Sequence, residues 1–392
     1  MALAGHAQAI ALWRRHAYVA AGEGGLRVID LSTPSAPREV GALPRTLASP
    51  TPPPDPLRPR RPPASTPATG GPLAWEPARV AMAGDHLCVA SGNRLFVMGL
   101  QNPAQPAQVA VYEVGAGINA LAAAGRYAYL HCGNECCGGP PEEFRVLDLA
   151  DPAAPRLVGK VDLHSRYWGG LAVAGERGYL VADGNLHLLD LADPATPRLA
   201  ATLGAQGTLA GGAVAVAGEL VYISAHREGI AVVDASDPAN PRLAGTSEGL
   251  AAGEDPPATG TAHMPNQLAL GGDLACVTLW QGGSLWIVED GLAVLDLRDP
   301  LRPRQVGRLK QPNDASDVAL AGRYAYLAAG PGVVVVDLND PAQPRHVTAI
   351  GAPQVPVDSP PRAARCLALA GNTVYAAVDV AGGTNTTPHS AL

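Results

Sequence analysis

One unit recurs along this chain, and that recurrence limits the possible folds more than any other feature of the sequence. SDVALAGRYAYLAAGPGVVVVDLNDPAQPRHVTAI fills positions 316–350. Related copies run over 8–43, 78–112, 170–203 and 212–245, and two more, 119–161 and 266–309, are interrupted by insertions. Every copy carries a P-x-x-P pair: Pro34/Pro37, Pro103/Pro106, Pro152/Pro155, Pro194/Pro197, Pro238/Pro241, Pro300/Pro303 and Pro341/Pro344. These make seven complete units. An eighth, RCLALAGNTVYAAVDV at 365–380, stops before its second half. Without a long insertion the period is about 41–50 residues, the spacing of propeller blades.

Each unit divides into four short runs rich in Val, Leu or Tyr, separated by Gly, Asn or Asp, and each run reads as a strand. Asp-Pro steps such as Asp151-Pro152 and Asp340-Pro341 mark the turn into the fourth run. The second proline opens that run. Proline has no ladder donor, so the fourth strand belongs at the outer edge. Composition agrees: 45 Gly and 38 Pro disfavour helix, and with aromatics at 4% the core must be Val, Leu and Ala. The expected fold is an all-β, single-domain β-propeller over 1–392, of four-stranded antiparallel blades, with seven complete repeats plus a partial eighth. Two closures fit: an eight-bladed ring with an incomplete last blade, or a seven-bladed ring with an extra hairpin. The Pro-rich segment 44–77 reads as a flexible insertion and 381–392 as a disordered tail.

Asp30, Asp148, Asp190, Asp234, Asp296 and Asp337 recur once per unit at the end of the third run. Recurrence in every blade marks them as turn-formers, since chemistry needs one site and not six. The strand motifs LRVIDL (26–31), FRVLDL (144–149), LAVLDL (292–297) and VVVVDL (333–338), each followed by x-x-P-x-x-P, resemble the LVIVD repeat family. The resemblance covers nearly the whole chain outside the insertions. It implies a propeller and a secreted or surface-associated setting, and brings no catalytic residues with it.

The remaining sequence excludes several function classes. Net charge is −7, and no Lys/Arg run offers a nucleic-acid footprint. No apolar run is long enough to span a membrane, so no membrane insertion is expected. The N-terminal stretch, interrupted by Arg14 and Arg15, reads as repeat and not as a signal peptide. Neither a phosphate-binding loop nor H-E-x-x-H occurs.

In an up-and-down blade, the turns between second and third strands and the crossovers between blades emerge on one face. Every long segment falls in these two classes, so function is expected there. Segment 131–143, HCGNECCGGPPEE, gathers His131, Cys132, Cys136 and Cys137. A transition metal, a local disulfide from Cys132, or free thiols all fit, although C-x3-C-C is not a standard zinc spacing. Segment 162–169 offers His164, Arg166, Tyr167 and Trp168, the residue types of interface anchors or of a channel plug. His226, Arg227, Glu228 and His263 belong to the same face. The first inward positions of the units, Ala9, Arg79, Ala120, Gly170, Ala213, Gln267, Asp317 and Cys366, form no ring of histidines or carboxylates and speak against a central metal. The expectation is a non-enzymatic scaffold for a protein or carbohydrate ligand with no cofactor. The rival is an enzyme with a metal or thiol centre on that face.

Overall fold

A computed structural model describes residues 2–4, 7–33, 37–44, 46–47, 73–74, 78–133, 142–163, 169–204, 209, 212–225, 229–247, 263–281, 290–311, 315–329, 332–351, 364–370, 373–380 and 389–391. Each complete repeat forms one antiparallel four-stranded blade, its strands in sequence order from centre to rim. Blade 1 is Ala9–Trp13, His16–Ala20, Leu26–Asp30 and Arg38–Leu43. The partial eighth repeat supplies Ala364–Ala370 and Thr373–Val380. That sheet is completed by His389–Ala391 and, at its rim, by Ala2–Ala4 from the other end of the chain. The stretch 389–391 of the expected tail is therefore a blade strand. The inner strand of blade 1 touches those of both blade 2 and blade 8, so eight sheets close the ring. Of segment 44–77, only Pro44 and the pairing of Thr46–Leu47 with Leu73–Ala74 are described.

The core is distributed over the seams between blades. Strand alternation sends Leu26 and Val28 toward Phe96 and Met98 of blade 2, and Ile29 toward Cys366 and Tyr375 of blade 8. Every seam holds such a cluster among the described residues. The seam between blades 7 and 8 is the thinnest, with Ala328, Val333 and Ala376.

The recurrent aspartates are turn-formers, as their periodicity implies. Oδ1 of Asp30, Asp148, Asp190, Asp234, Asp296 and Asp337 each accepts the backbone N–H two residues on, at 2.8–3.0 Å. The turns that follow seat on the preceding blade. A Cβ on Gly245 of blade 5 would overlap the carbonyl oxygen of Leu301 in the blade 6 turn, and Gly41 and Gly307 stand in the same relation to Ala104 and Pro341. Tyr18 and Tyr222 donate across the same seams to the carbonyls of Pro103 and Pro300, at 3.1 and 3.3 Å. The sequence analysis did not show one feature: in all seven complete blades a β-bulge shifts the pairing of third and fourth strands at the same place, as between Val28 and Ile29.

Candidate functional site

The two faces of the ring differ in their turns. On one face, the first and second strands are joined by two residues whose first has positive φ: Arg14 in blade 1, and Gly84, Gly125, Gly175, Gly218, Gly272 and Gly322 in blades 2–7. The Asp-Pro turns share this face. The described strands that flank 134–141, 164–168, 248–262, 282–289 and 352–363 end on the other face, where Ser91 with Arg94, Ala182 with Asn185 and Ala329 with Gly332 are paired across two residues.

A buried polar group lies at this second face, where blades 3 and 4 meet. His131 ends the second strand of blade 3, Tyr127–Cys132, and Glu142 precedes the third, Glu143–Asp148. His131 is fully buried, and its Nε2 lies 3.1 Å from Oε2 of the buried Glu142. The same oxygen accepts from Asn119 Nδ2 at 3.0 Å. His187, in the third strand of blade 4, faces this group across the seam. Its Nδ1 is 3.1 Å from Thr202 Oγ1. Burial lowers the pKa of His187, the neighbouring His131 lowers it further, and Asp183 opposes both. Nδ1 of His131 and Nε2 of His187 are buried without a hydrogen-bond partner. Unpaired buried nitrogens are costly, and in a native structure they mark a place where a further polar group can enter.

A charged groove of about 580 Å³ runs beside this group along the outer strand of blade 3. Tyr112, Arg145, Lys160, Thr196 and Pro197 line it. Glu143 holds its floor, accepting from Arg145 Nε at 2.7 Å and Lys160 Nζ at 3.0 Å. Arg145 also donates to the Val114 carbonyl at 2.5 Å, tying blade 3 to blade 2.

Of the residues singled out in the sequence, His164, Arg166, Tyr167, Trp168, His226, Arg227, Glu228, Cys136 and Cys137 lie outside the described residues. His263 opens the strand His263–Gly271 opposite Gln281, with its backbone alone described. His131 and Cys132 are adjacent on one strand and point to opposite sides. His131 reaches the group above, whereas Cys132 packs into the core between blades 2 and 3 as a free thiol. Burial pushes that thiol up to about 12, which opposes the thiolate that metal binding needs. Among the described residues, no three His, Cys, Asp or Glu converge on a metal-sized site. Asp317 and Arg79 brace the inner ring: Asp317 accepts from Leu367 N of blade 8 at 2.8 Å, and Arg79 donates to the Ile118 carbonyl of blade 3 at 3.3 Å. Sequence reasoning missed Glu142, Asn119 and His187. The available signal was the histidine that interrupts the apolar third strand LHLLDL.

Structural comparison agrees with this architecture. Sqt1 of Saccharomyces cerevisiae superposes with a TM-score of 0.64 at 10% identity, covering 99% of this chain and 95% of that one. The computationally designed Ika8 protein gives 0.62 at 13%, with 99% and 96% covered. BamB of Moraxella catarrhalis gives 0.60 at 11%, with 100% and 98% covered. No curated protein matches the sequence. These likenesses and the ring of radial sheets define a β-propeller repeat protein. Four segments, residues 4–43, 77–114, 211–248 and 312–349, match the LVIVD repeat, so this propeller contains LVIVD repeats. Among the described residues no helix is long and apolar enough to cross a membrane.

Proposed function

We propose that the chain is a non-enzymatic scaffold that binds a protein or carbohydrate ligand on its loop-bearing face. The observation that carries this reading is the asymmetry of the ring, with tight two-residue turns on one face and the long connections on the other. A rigid ring displaying variable loops is a common arrangement for recognition. The residues assigned to contact are His164, Arg166, Tyr167, Trp168, His226, Arg227, Glu228 and His263. Aromatic and Arg side chains supply most of the energy in such contacts. The test is capture from the native source, followed by Trp168→Ala with Arg166→Ala, and Arg302→Ala on the opposite face as control. A partner lost with the pair and kept with Arg302→Ala supports the reading. Partners that ignore the pair overturn it.

A second reading, a metal- or thiol-dependent enzyme on the same face, is favoured by the unpartnered nitrogens of His131 and His187 beside Glu142. Elemental analysis of the purified protein distinguishes the two. Stoichiometric transition metal, lost in His131→Ala, supports the enzyme reading; a metal-free protein with no reactive thiol removes it.

A further inference from the structure

The repeat supplies its own measure of what the fold requires. A residue type that recurs in every blade serves the architecture, and one confined to a single blade needs another reason. The bulge between third and fourth strands fixes which positions are equivalent. Glu143, Arg145 and Lys160 of blade 3 correspond to Gly229, Ala231 and Thr246 of blade 5, and to Gly332, Val334 and Ala349 of blade 7. Among the seven complete blades, blade 3 alone is charged at all three positions. Glycine, alanine and valine complete this part of the wall elsewhere, so the blade does not need the charges to form. Desolvation makes them a poor substitute for apolar packing: Glu143 is only 9% exposed and Arg145 is half-buried.

The groove that these charges floor has the size of a small-molecule site: about 580 Å³, where such sites span roughly 300–1,000 Å³. Three blades wall it, with Tyr112 from blade 2, Leu157 from blade 3 and Pro197 from the turn of blade 4. Its charges cancel, Glu113 and Glu143 against Arg145 and Lys160, so neither an anion nor a cation gains from a net field. What it offers is donors beside acceptors. Lys160 Nζ donates to Glu143 and Asp162 at 3.0 and 3.3 Å, and its third N–H has no acceptor among the described residues. Arg145 uses two of its five donors among the described residues, on Glu143 and the Val114 carbonyl. Each oxygen of Glu143 accepts one of these bonds and has room for another. A hydroxyl both donates and accepts, so neighbouring hydroxyls on one ring satisfy an ammonium and a carboxylate together. The C–H face of the same ring lies against an aromatic wall. We propose that this groove binds a neutral carbohydrate, with Glu143, Arg145 and Lys160 holding hydroxyls and Tyr112 meeting the apolar face of the sugar. The site is separate from the loop residues assigned above and does not depend on them.

Saturation-transfer NMR of the full chain with maltose, cellobiose, lactose and chitobiose tests this, with glucuronate as the charged probe and acetyl-trialanine amide as the peptide probe. Transfer is expected to at least one disaccharide and to neither of the other probes. Lys160→Ala weakens that binding about tenfold by calorimetry, the loss of one charge-assisted hydrogen bond, and Tyr112→Leu weakens it as well. Lys160 is exposed, so Lys160→Ala melts within about 2 °C of wild type. His346→Ala, on the rim of blade 7, leaves binding unchanged. Transfer to none of the disaccharides, or binding that survives both Lys160→Ala and Tyr112→Leu, overturns the proposal. Transfer to glucuronate or the peptide alone overturns it too. So does binding kept in Lys160→Ala but lost in Trp168→Ala with Arg166→Ala, which moves the sugar to the loop-bearing face.

Discussion

Single positions show how the repeat tolerates or refuses change. Gly322 has a φ of 58°, and a Cβ there meets nothing within 4 Å, so Gly322→Ala costs only the left-handed backbone, about 1 kcal/mol. Gly245→Ala faces a neighbouring carbonyl as well and costs more, roughly 2–3 kcal/mol. Denaturant midpoints of the two variants, compared with wild type, check the order. Arg14 is the exception at the same turn position, where its guanidinium lies 4.2 Å over the Trp13 ring. Asp317 gives a pH dependence of definite sign. Burial raises its pKa to about 6, partly offset by the amides of Leu367 and Val318. An unfolded aspartate releases its proton near pH 3.9, so the folded chain binds more protons between about 4 and 6, and stability falls as pH rises through that window. The fall is on the order of 1–3 kcal/mol and disappears in Asp317→Asn. Asp30, Asp234 and Asp296, half-buried at the turns, act oppositely. Their hydrogen bonds to residues 32, 236 and 298 hold their pKa values below the usual aspartate value, so their contribution is lost as pH falls below about 4. Urea titrations from pH 3 to 8 on wild type and Asp317→Asn separate the two trends.

At the scale of strands and turns, the proline turn serves its neighbour as much as its own blade. Removing the Tyr222 hydroxyl with Tyr222→Phe deletes the bond to Pro300 and costs about 1 kcal/mol in unfolding free energy. Thermal unfolding of that variant beside Tyr326→Phe, at the equivalent position of blade 7 where no such bond forms among the described residues, shows whether the effect belongs to the seam. The strands and both turn types were legible in the sequence because glycine, Asp-Pro and alternating apolar residues each have a local cause. The bulges were not legible, since Val-Gly in the outer strand reads like any strand interior. Eight-bladed closure was one of two alternatives the sequence left open, because Ala2–Ala4 and His389–Ala391 carry no blade signature and acquire their role only by pairing. The site was partly legible. His131 stood out as a chemical group, but Asn119 reaches this group through strand pairing within blade 3 and His187 through the packing of blade 4, neither of which the local sequence shows.

For the whole molecule, the ring depends on two short terminal strands. Deleting residues 1–7 or residues 389–392 removes one strand of the eighth blade, and each deletion lowers the melting temperature. Because both act on the same closure, the double deletion lowers it by little more than the larger single effect, where independent sites would add. Differential scanning calorimetry of the three variants checks this. The seating of each turn on the blade before it also gives the ring a direction. A chain synthesised from its N-terminus leaves the ribosome with its newest wall uncovered, and the following repeat arrives to shield it. Vectorial synthesis thus limits sticky surface to one blade at a time, a safeguard for a protein made almost wholly of strands.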